Sequence, residues 1–200
     1  MFVSIPNHLL AWGRDQQLWE AAGWDHADVA ELPLERTLLV KRCKIWPYEM
    51  VFRAHIGGSV WMEYQEKGTA AGVRLPSGLR KWERLSHPIF TPTTKSQSGH
   101  DIAITVEEYK AQTGEQGMKL AGMCADVFQQ AYEYALEHGL IILDTKFEVS
   151  DNGMLVDEVL TPDSSRITLT GALEAAVTAG KDPAFHDKEP VRIWVSWFNT

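Results

Sequence analysis

The sequence lacks the features that identify several large classes of protein. Its longest purely aliphatic run, from Leu140 to Leu143, is far shorter than the about 20 residues that a membrane span needs. No basic patch is concentrated enough to follow a nucleic-acid backbone, and 27 acidic against 19 basic residues give a net charge of −8. The N-terminus has no cationic region followed by a long apolar stretch, so no signal peptide is predicted. We therefore expect a cytoplasmic protein that binds neither membranes nor nucleic acid.

Cysteine and the common catalytic motifs are also scarce. Cys43 and Cys124 stand alone, without a CxxC motif, which is typical of packed thiols in a reducing compartment. The chain has no GxxxxGK[ST], GxGxxG, HExxH or GxSxG motif. Four histidines have no metal-ligand spacing and are predicted to be ordinary surface or core residues: His55, His87, His138 and His186. What is present is a chain of 200 residues, 44% hydrophobic, that is long enough to bury a sizeable core.

Apolar periodicity and turn signals predict a mixture of helices and strands. In chain order they predict a Trp-rich helical segment 1–31, a strand pair 36–44 and 48–56, a short helix 60–67, a long functional loop 68–100, a helix 115–138, a buried strand from 140 to 148 and a returning strand 154–160. The state of residues 161–200 is left open between strand and helix.

The clearest chemical pattern is a predicted hairpin after the long helix. Because side chains alternate along a strand, Asp144, Lys146 and Glu148 are predicted on one side of it. A two-residue type I′ turn at residues 152 and 153 would place Glu148 opposite Asp157. Two facing carboxylates repel each other, and a divalent cation, magnesium above all, would offset that repulsion. The alternative is a solvent-exposed hairpin whose charges lie in water.

Further polar clusters accompany this hairpin. The loop Asp163-Ser164-Ser165-Arg166 adds an acid, two hydroxyls and a cation, which favours a site over an exposed hairpin. Upstream, Arg53 is followed by Gly57-Gly58-Ser59 at the start of a predicted helix, where backbone N–H groups favour an anion. The alternative is that Gly57-Gly58-Ser59 only caps this helix. A third cluster contains Lys95, His100 and Asp101, and it is typical of substrate contacts or of a surface loop.

Four collinear motifs resemble the SAICAR synthetase (phosphoribosylaminoimidazole-succinocarboxamide synthase) family. Glu49 to Ser59 resembles its E-V-V-V-R-x-x-x-x-G-S segment, and Pro88 to Asp101 its P-I-F-T-P-S-T-K … G-H-D-E loop. Asp144 to Glu148 is similar to D-T-K-F-E, and Val156 to Arg166 reads V-D-E-V-L-T-P-D-S-S-R. A weaker fifth likeness extends from Phe185 to Trp194.

The resemblance implies an enzyme that joins L-aspartate to the carboxylate of carboxyaminoimidazole ribonucleotide, using ATP and magnesium, in purine synthesis. It implies an acyl-phosphate route, in which the carboxylate is phosphorylated and the aspartate amine displaces phosphate. Carried over by position, the ribose phosphate would be held by Arg53, Ser59 and Arg166, with Gly58, Asp163 and Ser165 also in the substrate site. Magnesium would be held by Glu148 and Asp157, the ATP phosphates and metal would face Asp144 and Lys146, and the imidazole and aspartate side would be served by Lys95, His100 and Asp101.

The resemblance also implies an α+β fold of two lobes with antiparallel sheets. In the family, a glycine-containing phosphate loop and a strand lysine precede the segment that Asn7-His8-Leu9 resembles. We therefore expect a truncated N-terminal lobe and linker at 1–56 and a main substrate- and metal-binding domain at 57–200. Three readings follow: a shortened ligase, a ribonucleotide-binding or regulatory homologue without ATP chemistry, or one piece of a split enzyme with a complementing chain. A homo-oligomer is a further possibility.

Overall fold

The computed structural model describes residues 5–95 and 101–186, and the chain divides into two compact units. The first unit comprises Met1–Trp46 with Val149–Asp157, and the second comprises Pro47–Glu148 with Glu158–Thr200. This division differs from the predicted boundary between residues 56 and 57. The reason is that the whole strand after Pro47 pairs with strands of the second unit.

The elements follow one another as a mixture of short and long segments. In chain order they are β1 (Leu9–Trp12), α1 (Gln16–Ala21), α2 (His26–Val29), a 3-10 turn (Leu34–Arg36), β2 (Leu38–Val40), β3 (Tyr48–His55), α3 (Ser59–Lys67), β4 (Thr69–Ala70), β5 (Val73–Arg74), β6 (Arg84–Phe90), β7 (Thr93–Thr94), β8 (Ile102–Ala103), α4 (Val106–Glu137), β9 (Leu140–Val149), β10 (Leu155–Val156), β11 (Ser165–Leu169) and α5 (Thr170–Ala179). The predicted α3, β3 and β9 are confirmed. Within residues 5–95 and 101–186, no helix has the length and apolar character that crossing a membrane requires.

The first unit is built on a small antiparallel ribbon of β1 and β2. Ala11, Trp19 and Val29 form its buried cluster, and the Trp19 indole N–H donates to the Gly13 carbonyl over 3.0 Å. The prediction of a helical 1–31 is wrong at β1. The predicted pairing of the strands at 36–44 and 48–56 is also wrong, because β2 pairs with β1.

The second unit contains a sheet centred on β3. On one edge β3 pairs with β9, which continues the sheet to β11, and on the other edge it pairs with β6 and then β7. These pairs are antiparallel, as the α+β prediction requires. The segment 68–100 is therefore not one long loop, because β6 lies within it and hydrogen-bonds to β3.

The helix α4 covers one face of this sheet. Phe52 of β3 stacks at 6.1 Å from Phe128 of α4, and the Tyr109 hydroxyl reaches the Met50 sulfur over 3.5 Å. The helix is longer than its predicted range of 115–138, and it breaks at Gly114, whose backbone is not helical (φ 63°, ψ −152°). The apolar periodicity predicted only the part of α4 after Gly114, because most of the buried residues of the helix lie there.

Cys124 lies on the packed face of α4. It is completely buried, and burial raises the pKa of its thiol to about 12. Cys43 is half-buried, and its thiol donates to the Lys41 carbonyl. Both cysteines are free thiols, as the prediction of packed thiols requires, although Cys43 is the less enclosed of the two.

His55, at the end of β3, is the buried titratable group behind the sheet. Its Nδ1 lies 2.9 Å from the Trp82 carbonyl, and its Nε2 lies 3.1 Å from the Tyr132 hydroxyl. Because a carbonyl only accepts hydrogen bonds, Nδ1 carries the proton and Nε2 accepts from Tyr132. Burial lowers the pKa of His55 below its ordinary value of 6.5, and the hydrogen bond to Trp82 partly opposes that shift.

We expect this histidine to make folding sensitive to mild acid. Below about pH 6.5 the unfolded chain binds a proton at His55 that the folded protein does not, so stability is full above that pH and falls as the pH decreases. The slope attributable to one proton is at most about 1.4 kcal/mol per pH unit. Urea unfolding of His55→Gln between about pH 7 and pH 5.5 should show a flatter dependence than the parent. His87→Gln, at an exposed site, should keep the parent slope, and an unchanged slope in His55→Gln would contradict the assignment.

Candidate functional site

The face of the sheet opposite α4 carries charged side chains where apolar ones would be usual. Arg53 is the Cα partner of Asp144, and Val51 is the partner of Lys146. Because side chains alternate on both strands, these residues leave the sheet on the same face, away from Phe52 and α4. Asp144 and Lys146 therefore lie on one face of the sheet, as predicted, and Arg53 and Val51 of β3 lie on the same face.

Two guanidinium groups share one buried carboxylate at the centre of this face. Arg53 donates from Nη1 to Asp144 Oδ2 over 2.6 Å, and Arg166 donates from Nε to Asp144 Oδ1 over 2.9 Å and also contacts Oδ2. Arg53 further donates from Nε to the Thr91 hydroxyl over 2.9 Å. Burial lowers the pKa of Arg53 from its ordinary value, and the Asp144 charge opposes that effect. Since arginine stays charged in proteins, the group has one excess positive charge.

A helix N-terminus adjoins the two arginines. Arg53 Nη2 lies 3.5 Å from the Ser59 hydroxyl, the first residue of α3. Gly58 precedes it with φ 62°, a backbone conformation that requires glycine, and a Cβ there would lie 2.5 Å from Arg166 Nη2. The N–H groups at a helix start, next to excess positive charge, form a favourable place for an anion.

Two lysine–glutamate pairs extend the charged face toward β7. Lys146 Nζ donates to Glu49 Oε1 over 2.7 Å, and Lys95 Nζ contacts Glu148 Oε2. Both glutamates are at least nine-tenths buried. Since Met50 is the partner of Phe147, Glu49 and Glu148 are the next residues along the two strands. Their lysines neutralise carboxylates that would otherwise repel each other.

The loop before β11 closes one side of the face. Lys146 donates its backbone N–H to the Ser164 carbonyl over 2.9 Å, and the hydroxyls of Thr145 and Ser165 lie 2.8 Å apart. Ser165 is buried, whereas Asp163 is exposed at the rim. These contacts fix Arg166 relative to β9, because Arg166 follows directly in β11.

A cavity of about 430 Å³ lies over this face, entirely within the second unit. Its lining consists of Glu49, Val51, Arg53, Thr93, Asp101, Asp144, Thr145, Lys146, Pro162, Asp163, Ser164, Ser165 and Arg166. A neighbouring cavity of about 360 Å³ also reaches Arg53 and includes Ser59, Thr91 and Glu108. Together they form a polar cleft whose lining includes the buried charged side chains of Glu49, Arg53 and Asp144.

The structure brings together most of the residues singled out by sequence. One cavity collects seven of them: Arg53, Asp101, Asp144, Lys146, Asp163, Ser165 and Arg166. Gly58 and Ser59 adjoin the arginines, and Lys95 pairs with Glu148. Asp157 belongs to the first unit, where it follows β10 with φ 57°. His100 lies outside the described residues.

The predicted type I′ turn at residues 152 and 153 is wrong. The Ser150 N–H donates to the Met154 carbonyl over 2.9 Å, so three residues lie between the paired positions. The Ser150 side chain contributes to this wider turn, since its hydroxyl accepts from the Met154 N–H and donates to Asn152 Oδ1. A register change of one residue moves side chains to the opposite face, so direct pairing of Glu148 with Asp157 does not follow from the turn. Their joint binding of magnesium stays a prediction.

Sequence reasoning missed two contributors to this face. The Glu49 carboxylate accepts hydrogen bonds from Lys146 Nζ and, over 3.2 Å, from the Thr93 hydroxyl. The sequence did point to Glu49, because this residue is the first of the motif segment Glu49 to Ser59. Thr91 also lies in a motif segment, Pro88 to Asp101, but its hydrogen bond from Arg53 Nε depends on the pairing of β3 and β6, which the sequence did not predict.

Comparisons with known proteins match nearly the whole chain. The family model described as SAICAR synthetase matches residues 2–199. Phosphoribosylaminoimidazole-succinocarboxamide synthase from a Polaromonas species is 44% identical over 174 residues, which are 83% of this chain and 58% of that protein. The chain thus spans less than two thirds of that relative's length.

Solved structures have the same fold. SAICAR synthase from Saccharomyces cerevisiae, complexed with SAICAR, matches with a TM-score of 0.75 and 31% identity over 98% of this chain and 66% of that chain. A SAICAR synthetase in complex with ADP matches with a TM-score of 0.64 and 21% identity, over 95% of this chain and 65% of that one. Because its identity is only 21%, the second match shows a shared fold and nothing more.

Proposed function

The chain belongs to the SAICAR synthetase family, and from that premise we propose that it serves the ATP-dependent joining of L-aspartate to carboxyaminoimidazole ribonucleotide. The chain spans 58% of the Polaromonas relative, so activity, substrates and cofactors are proposed for it from its own residues. The single observation that carries the proposal is the pair of guanidiniums held on Asp144 beside the start of α3.

The ribose 5-phosphate binds at this pair. Arg53, Arg166 and Ser59 present donors from three different elements, and planar guanidinium groups match phosphate oxygens well. The N–H groups at the start of α3 add a favourable field for the dianion. Asp144 holds both arginines in place and leaves one positive charge to be neutralised by the ligand.

The ribonucleotide carboxylate and the aspartate amine meet in the larger cavity. When bound, ATP supplies the phosphoryl group that activates the carboxylate: a carboxylate oxygen bonds to the γ-phosphorus, and the bond to ADP breaks. The neutral amine then bonds to the carbonyl carbon as the carbon–oxygen bond to phosphate breaks, and the departing phosphate takes the proton that the nitrogen loses. Lys146 offers the transferred group a positive charge, and Asp101, which lines the same cavity, attracts the ammonium of L-aspartate.

The residues present fit a magnesium ion bound together with nucleotide phosphates. Mg²⁺ in such sites takes one or two carboxylates, several waters and phosphate oxygens rather than a full protein cage. Glu148 and Glu49 supply buried carboxylates at adjacent positions of β9 and β3. The side chains of Lys95 and Lys146 are 39% and 35% exposed, so their ammonium groups can turn to phosphate oxygens. We propose Glu148 as the principal ligand.

An omission assay tests this function. The complete mixture contains the chain, ATP, Mg²⁺, L-aspartate and carboxyaminoimidazole ribonucleotide, and product is detected by chromatography together with released phosphate. We expect SAICAR formation that stops when any one component is omitted. Lys146→Met, which removes the ammonium group, should abolish turnover, whereas Lys41→Met in the first unit serves as the matched lysine control. Absence of product in the complete mixture would overturn catalysis by this chain.

Ribonucleotide binding without turnover is the second candidate function. The arginine pair, its carboxylate and the start of α3 all lie in the second unit, so the phosphate contacts need no residue of the first unit. Titration calorimetry separates the two candidates. Binding of SAICAR together with no binding of magnesium–ATP supports a binding protein, and binding of both supports the ligase.

A further inference from the structure

Trp82 lies beneath Arg166 in an unusual conformation. Its ring centroid is 5.1 Å from Arg166 Cζ, and its side chain is almost completely buried. Its φ of 66° is a left-handed conformation that bulky residues rarely adopt because it is strained. The surrounding contacts must therefore hold it in place.

Those contacts fix both the backbone and the ring. The Trp82 N–H donates to the Ile56 carbonyl over 2.7 Å, and its own carbonyl accepts from His55 Nδ1 over 2.9 Å. The indole N–H donates to Asp182 Oδ1 over 2.7 Å. A Cβ on Gly57 would lie 1.9 Å from a ring carbon, so the indole occupies the space that a side chain there would take.

We propose that Trp82 is a positioning residue that holds the Arg166 guanidinium in the plane needed to bind the ribose phosphate. The proposal rests on the function proposed above. Asp144 binds one edge of Arg166, and the indole face beneath it prevents rotation away from that edge. A cation over an aromatic face is attracted as well as confined. Trp82 thereby prepares Arg166 before the ligand arrives, which lowers the ordering cost of binding.

Two substitutions of Trp82 distinguish the role of its aromatic ring from that of its indole hydrogen bond. Trp82→Leu removes the aromatic face, and we expect it to weaken SAICAR binding about tenfold in titration calorimetry. Trp82→Phe keeps a ring but loses the bond to Asp182, and it should stay within about threefold of the parent. For the nucleoside that lacks the 5′-phosphate, Trp82→Leu and the parent should bind equally. Equal losses for both ligands would overturn the proposal.

A measurement on the free protein tests the positioning without any ligand. The ring current of Trp82 should shift the Arg166 Nε–H proton resonance upfield, with assignment by Arg166→Lys. We expect Trp82→Leu to remove that shift and Trp61→Leu, a matched loss of tryptophan from α3, to preserve it. An unshifted resonance in the parent overturns the proposal. A parent that shows the shift but does not bind SAICAR overturns the proposed function while the positioning stands.

Discussion

Replacing Asp144 with asparagine is expected to lower the free energy of unfolding by about 3–5 kcal/mol. The substitution keeps the shape of the side chain but removes the charge that holds Arg53 and Arg166. Because Arg53 is 7% exposed, its cation would remain buried without a compensating anion. Urea unfolding measures the loss. The dependence of the free energy of unfolding on urea concentration is compared between the variant and the parent.

A matched control comes from an exposed ion pair. Arg80 and Glu83 form a pair at the surface of the second unit, and Glu83→Gln should cost at most about 1 kcal/mol. Inorganic phosphate should restore part of the stability of Asp144→Asn, since it can take the place of the carboxylate between the two arginines. A loss no larger than that of Glu83→Gln would contradict the role given to Asp144.

Replacing Arg166 with glutamine is expected to weaken SAICAR binding about 100-fold. Arg166 is the more accessible of the two arginines, with its side chain 26% exposed, and Asp144 retains Arg53 when Arg166 is removed. The variant should therefore stay folded while losing one of the phosphate donors. Titration calorimetry measures the change in dissociation constant.

Arg84→Gln provides the control for this substitution. Arg84 also stacks on an aromatic ring, at 5.4 Å from the centroid of Tyr132, yet it lines neither cavity of the cleft. Its replacement should leave SAICAR binding unchanged. Equal affinity of the Arg166→Gln variant and the parent would remove Arg166 from the site.

Local patterns in the sequence predicted the elements on which the site is built. β3, α3 and β9 were predicted because each has a short, self-contained pattern of apolar residues and turn signals. Alternation along β9 also placed Asp144 and Lys146 on one face. That inference needs only the geometry of a single strand.

Pairing between distant segments could not be predicted in the same way. β2 pairs with β1 rather than β3, and β6 emerges from a stretch read as a loop, because both depend on contacts with other segments. The turn after β9 is one residue wider than predicted, since the Ser150 side chain bonds within it. Trp82 gave no signal either, because its role depends on the approach of Arg166 from β11.

The most direct test of the phosphate site is a crystal structure of this chain with bound SAICAR. The account predicts phosphate oxygens within about 2.7–3.2 Å of donors from Arg53, Ser59 and Arg166, at the start of α3. The guanidinium of Arg166 should still lie over Trp82 and contact Asp144. A well-ordered SAICAR whose phosphate lies elsewhere, with these three residues in contact only with one another or with solvent, would contradict it.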